Sequence, residues 1–199
     1  FLEGQSHETL KEAFAGKLRQ GANPISMKNK VPLMRNEECI EFPADQTTIT
    51  RRFTDEGISF ISKSVKEEKP FFLYLAHSMP HIPLYVSPEF EGKSERGLYG
   101  DVIEEIDFNT GRILDHLKAL GIEENTLVIF TTDNGPWLTH GESGGSALPL
   151  FEGKFTTFEG GQRVPCVIKW PGHIPAGTVC DELTSTMDLL PTFAAVTGA

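Results

Sequence analysis

The sequence predicts an α/β fold, a largely parallel sheet sandwiched by helices, and three observations carry that expectation. Apolar runs at residues 71–76, 126–132 and 164–170 lack the polar alternation of a half-exposed strand, so they read as strands covered on both faces. Segments of helical periodicity separate them, and strands alternating with helices make sheets joined by crossover connections. The chain has 199 residues, 39% hydrophobic and 23% charged, which is enough apolar material for one sizeable core.

Residues 1–50 are expected to be a poorly packed N-terminal segment. A short helix-like stretch at 7–19 leads into loop material carrying Gly21, Asn23-Pro24, Pro32 and Pro43. The packed part is expected over 51–199. Ile58, Phe60, Ile61 and Val65 recur at roughly helical spacing and predict a helix over 55–68, stopped before Pro70. Phe71-Phe72-Leu73-Tyr74-Leu75-Ala76 follows as a buried strand. A longer helix presents Ile103, Ile106, Ile113, Leu114, Leu117 and Leu120 on one face, with acidic residues in its first half and Gly121 closing it. Residues 126–132 are the second strand. Residues 164–170 are the third, with Pro165 restricting its pairing. Residues 186–196 close the chain as a helix opened near Asp188.

Charge and composition exclude several functions. A formal net charge of −10 is the wrong sign for a non-specific grip on nucleic acid, which needs clustered Lys and Arg. No run approaches the roughly 18 apolar residues that suggest a membrane span, and the N-terminal residues have no signal-peptide shape. Cys39, Cys166 and Cys180 allow at most one internal disulfide and show no zinc-ligand spacing.

In open α/β sheets ligands gather beyond the C-terminal ends of strands, which directs attention to three segments. Asp133-Asn134-Gly135 follows the second strand and offers carboxylate and amide oxygens to a hard cation, although the same triplet is good turn chemistry. His81 lies between Pro80 and Pro83 after the first strand, where an imidazole can donate to a leaving oxygen or an anionic ester near neutral pH. Lys154, within Gly153-Lys154-Phe155-Thr156-Thr157-Phe158-Glu159-Gly160-Gly161, presents a cation to an oxyanion, but the segment is no P-loop, because Phe155 follows the lysine and Leu148 replaces the first glycine. Gly141-Glu142-Ser143-Gly144-Gly145 satisfies the nucleophile-elbow pattern, with Glu152 or Glu159 and His173 in triad order. The residues before Ser143 make a poor strand and those after it no helix, so a flexible loop is the better reading.

The ordered series Phe71-Phe72-Leu73-Tyr74, Pro80-His81-Ile82-Pro83, Tyr99-Gly100-Asp101, Gly111-Arg112-Ile113-Leu114, Thr132-Asp133-Asn134-Gly135, Gly153-Lys154 with Thr157-Phe158-Glu159-Gly160-Gly161, and Arg163-Val164-Pro165 resembles the type I sulfatases of the arylsulfatase and N-acetylgalactosamine-6-sulfatase kind, in the alkaline-phosphatase-like superfamily. Trp170-Pro171-Gly172 and Met187-Asp188-Leu189-Leu190-Pro191-Thr192 agree, so the resemblance runs from about Pro32 to the end. It implies that Asp133 and Asn134 are two of four protein ligands of a calcium ion, with magnesium less favoured. It also implies that Lys154 binds the sulfate and that His81 contacts it near the leaving oxygen, making His81 and Lys154 the catalytic and substrate-binding residues.

The same family carries an Asp-Asp pair and a Cys-x-Pro-x-Arg motif whose cysteine becomes the formylglycine nucleophile. Neither occurs here: Cys39, Cys166 and Cys180 all lack that context, and Gly16-Lys17-Leu18-Arg19 only faintly echoes a further Gly-Lys-x-His motif. The expectation is therefore the C-proximal part of a sulfatase catalytic domain, its sheet incomplete on the N-terminal side. Such a chain would be inactive alone and able to associate through uncovered edges. The resemblance implies a sulfate ester of a carbohydrate or aryl compound as substrate, no nucleic acid or membrane partner, and export to a periplasmic, extracellular or lysosomal space. A metal-dependent phosphatase or phosphodiesterase of the same superfamily and a non-catalytic binder of sulfated glycans are the alternatives.

Overall fold

The computed structural model describes residues 31–199. The helix-like stretch at 7–19, with its Gly16-Lys17-Leu18-Arg19 sequence, lies outside the described residues. Within the segment expected to be poorly packed, β1 (Leu33–Arg35) and β2 (Glu38–Glu41) form an antiparallel hairpin. Its turn is set by Asn36, whose φ of 53° is the left-handed conformation that asparagine tolerates better than most residues. Glu41 ties this hairpin to the next stretch of chain: it accepts from Arg52 at 2.5 Å and from the Asp45 amide at 2.7 Å.

The Asp45 side chain accepts from Thr47 N at 3.1 Å and starts a 3-10 turn that runs directly into α1 (Ile49–Lys66). The helix begins earlier than the apolar spacing indicated, because the capped 3-10 turn before it carries the chain straight into helical geometry. Thr50, Thr54, Gly57, Ile61 and Ser64 form its buried stripe. Small side chains there allow close approach: a Cβ on Gly57 would sit 3.4 Å from Leu73 Cδ2, already in contact with the extended segment at 71–77.

The second helix, α2 (Gly97–Ala119), ends where expected, with Gly121 at φ +69°. It is joined to α1 by Arg112, which donates to Asp55 Oδ1 at 2.6 Å, and by Ser62 Oγ and His116 Nε2 at 2.8 Å. Val102 and Ile106 of α2 pack with Met79 and Val86, and Leu84, Tyr85 and Phe90 close around them. This core seats the loop that carries His81.

The acidic residues in the first half of α2 do more than complement the helix dipole. Glu105 is buried and accepts from Ser87 N at 3.0 Å, while buried Asp101 accepts from Gly92 N at 2.8 Å and Ser94 N at 2.7 Å. These hydrogen bonds from the Ser94 and Gly92 amides hold the Asp101 carboxyl below its ordinary pKa, outweighing burial. Because the folded state binds that proton less tightly than the unfolded chain, the contribution to stability is full above the ordinary aspartate pKa and vanishes as pH falls through the depressed one. Protection factors of the Gly92 and Ser94 amides should therefore fall in acid. In Asp101→Asn the protection of one of the two should be low at every pH, since that amide then meets an NH₂ group. Acid-insensitive protection in the native chain would contradict the anchor.

The expected α/β class holds, with helices beside an incomplete sheet, and the direction of the strand pairing is where the described residues differ. β3 (Val128–Thr131) pairs with β4 (Cys166–Lys169) antiparallel, from Val128 opposite Lys169 to Thr131 opposite Cys166. Both ladders among the described residues are antiparallel, and the parallel pairing expected of these strands is absent among them. Nor is the run at 71–76 a buried strand. It is extended but unladdered, with Phe71, Leu73 and Leu75 turned towards the helices while Phe72 and Tyr74 remain 69% and 82% exposed. An apolar run cannot tell a strand buried on both faces from one whose outer face has no cover among the described residues. Phe72 meets the ring of Phe193 of α3 (Leu189–Thr197) at 5.6 Å on that outer side, while Phe71 meets Phe60 of α1 at 6.3 Å on the inner one. All three cysteines are free, and among the described residues no helix is long and apolar enough to cross a membrane.

Candidate active site

β3 delivers the chain into Asp133-Asn134-Gly135, and backbone hydrogen bonds then stitch this turn to the loop at 150–163. Gly135 N donates to Gly161 O at 3.1 Å and Lys154 N to Pro136 O at 2.8 Å, while Gly160 N to Phe151 O at 2.8 Å closes the loop on itself. The close approach explains the glycines. A Cβ on Gly135 would fall far inside van der Waals contact with the Gly160 carbonyl oxygen, and one on Gly160 would meet the Glu152 carbonyl in the same way.

The result is a cavity of about 390 Å³ whose walls include Asp133, Asn134, Lys154, Thr156, Thr157 and Gln162. Three of the four residues singled out in the sequence thus share one concavity, with an anionic side chain and an amide beside a half-buried cation. Lys154 Nζ lies 5.3 Å from the centre of the Trp137 ring and 5.5 Å from that of Phe155, and no carboxylate among the described residues pairs with it. An ammonium held against ring faces keeps its donors for a ligand.

His81 does not line this cavity. It is exposed between the cis Met79–Pro80 and Ile82–Pro83 bonds, and its ring centre stands 5.8 Å from that of Trp137. Its Nδ1 lies 2.7 Å from Ile82 O. A carbonyl can only accept, so Nδ1 carries the proton and Nε2 is the atom left to exchange one with a ligand. Nearby His77 is half-buried, and burial pushes its imidazole below the ordinary histidine value; its Nδ1 has no hydrogen-bond partner among the described residues.

Trp137 was not legible as a site residue. Its ring also meets Phe155 at 5.3 Å and His140 at 4.1 Å, making it the contact shared by the Lys154 and His81 segments. The only signal was an aromatic residue directly after Asp133-Asn134-Gly135-Pro136, which sequence alone assigns as readily to packing. The elbow reading finds no support in the geometry. Ser143 ends a 3-10 stretch, Leu138–Ser143, broken at Gly141, with no strand before it, and His173 is stacked on Trp170 at 3.9 Å.

The donor set suits a hard divalent cation in kind. Asp133 and Asn134 provide oxygens at the cavity wall, and calcium takes six to eight such ligands. Among the described residues no group of three or more His, Cys, Asp or Glu side chains is placed to hold a metal ion, so these two by themselves would supply only part of such a shell.

A family model described as Sulfatase matches residues 5–199. N-acetylgalactosamine-6-sulfatase of Mus musculus is 44% identical over 181 residues, covering 86% of this chain and 35% of that protein. Steryl-sulfatase of Homo sapiens is 40% identical over 172 residues, covering 84% of this chain and 29% of that protein. The crystal structure of PsFucS1 sulfatase from Pseudoalteromonas sp. superposes with a TM-score of 0.72 at 38% identity, over 77% of this chain and 30% of that one. The chain spans about a third of the length of these curated relatives (35% and 29%).

Proposed function

The chain belongs to the sulfatase family, and from that membership we propose that it supplies the metal-and-sulfate half of an active site that hydrolyses sulfate esters. The observation that carries this reading is the shared cavity of Asp133, Asn134 and Lys154. A sulfate ester is a stable anion, so attack on sulfur requires cationic groups that offset charge on the non-bridging oxygens. Lys154 gives one such group. Asp133 and Asn134 would hold a divalent cation, calcium in preference to magnesium, whose contribution when bound is Lewis-acid polarisation of the sulfate.

His81, with Nδ1 fixed by the Ile82 carbonyl, presents Nε2 to the leaving oxygen, and as the imidazolium it can hand over a proton there. The nucleophile, a formylglycine in this reading, comes from outside these 199 residues, because no cysteine here stands in a Cys-x-Pro-x-Arg context. Residues 51–199 then form the C-proximal part of the catalytic domain. The exposed faces at Phe72, Tyr74 and Val167 are where further parts of it would pack. The name of the Mus musculus relative favours a sulfated carbohydrate over an aryl ester, and an exported protein is the setting consistent with such a substrate.

Assaying this chain alone against an aryl sulfate and an N-acetylgalactosamine 6-sulfate, with and without calcium, tests the reading. Sulfate should bind and no ester should turn over. Calcium-dependent turnover by the isolated chain would contradict the assignment of the nucleophile to another segment.

A further inference from the structure

Lys154 and His81 stand on separate loops, and one indole meets both. The Trp137 ring carries the Lys154 ammonium at 5.3 Å and the His81 imidazole at 5.8 Å. Phe155 stands almost perpendicular to that indole, at 88°, so Nζ sits in the corner between two aromatic faces. The indole is itself fixed. The Trp137 backbone carbonyl accepts from His140 N at 3.0 Å, the indole ring meets His140 edge-on, and the neighbouring Pro136 carbonyl accepts from the Lys154 amide at 2.8 Å.

A lysine in a protein of net charge −10 would ordinarily lie against a carboxylate, as Lys169 does with Glu123. Such a partner would have to be displaced before an anion could bind. Rings attract the ammonium through their quadrupole yet bear no net charge and accept no strong hydrogen bond, so its position is set while its donors stay open.

We propose that Trp137 is a positioning residue, holding the Lys154 ammonium against its ring so that the donors of Nζ address a bound sulfate. The inference rests on the proposed sulfate site, and a set of binding measurements separates the two.

Inorganic sulfate affinity is measured by calorimetry on the full 199-residue chain and on Lys154→Met, Trp137→Leu, Trp137→Phe and the Lys154→Met/Trp137→Leu double variant, each checked for native circular dichroism. Trp137→Leu should weaken binding about fivefold, Trp137→Phe should stay within about twofold because a ring face remains, and Trp137→Leu should add nothing once Lys154 is gone. Equal losses from Trp137→Leu with and without Lys154, or no loss at all, would overturn the positioning role and leave the sulfate reading standing. Failure of the native chain to bind sulfate, or indifference to Lys154→Met, would overturn both. Should Trp137→Leu not fold, the native chain still decides: the ε-methylene protons of Lys154 should resonate upfield of those of exposed Lys66, and coincident shifts would rule out the ring contact.

Discussion

Gly135→Ala should destabilise the chain by about 3 kcal/mol or more, at the upper end of what overpacking costs, and should abolish the cavity as a binding site. The methyl group would be driven into the Gly160 carbonyl oxygen, with the Gly160 carbonyl carbon at 2.8 Å and the Gly161 Cα at 3.1 Å behind it. A flexible side chain could move aside. These are backbone atoms, fixed in place by the Gly160 bond to Phe151 and the Gly161 bond to Phe158. Relief therefore means parting the Asp133-Asn134 turn from the Lys154 loop, which is the juxtaposition the site consists of. Gly111→Ala is the control. Gly111 lies inside α2 with no atom within 4 Å of an added Cβ, so that exchange should stabilise by about 0.5–1 kcal/mol through helix propensity. Urea denaturation of both variants checks the contrast, and a neutral Gly135→Ala would show that the two loops are not pressed together.

The second large effect belongs to Lys154. In the complete enzyme, Lys154→Ala should lower kcat/KM for a sulfate ester by about 10²–10³, the range seen when one preorganised group facing transition-state charge is removed. Stability should change little, since Nζ makes no ion pair among the described residues and the backbone bond from Lys154 N to Pro136 O survives the substitution. Lys154→Arg should recover only part of the loss, because a planar guanidinium cannot place its charge where an ammonium stood between two rings. Steady-state kinetics beside a thermal melt separates the outcomes. A large drop in Tm with intact kcat/KM would assign Lys154 to packing instead.

Much of this architecture was readable before any coordinates, and what escaped has physical causes. The helix ending at Gly121 was legible because the left-handed residue that follows a helix is most often glycine. The start of α1 was not, since its signal was Asp45 bonding the backbone of Thr47 and not an apolar stripe. Asp101 and Glu105 read as dipole partners of a helix, whereas they receive amides from a loop folded back over it, a long-range choice that composition cannot encode. The strand at 164–170 was recognised and its direction was not, because periodicity reports which face is covered and says nothing about the neighbour's polarity. Asp133, Asn134 and Lys154 stood out through residue type and order. Trp137 did not, because a tryptophan's role depends on what surrounds its ring.

Sulfate titration of the ¹⁵N-labelled chain, followed by amide chemical shifts, tests the central claim most directly. If Asp133, Asn134 and Lys154 line the sulfate site, saturable shifts will concentrate at residues 133–137 and 153–162 and will be lost in Lys154→Ala. Shifts centred instead on other cations, such as Arg35 and Arg51, or a response unchanged by Lys154→Ala, would contradict that assignment.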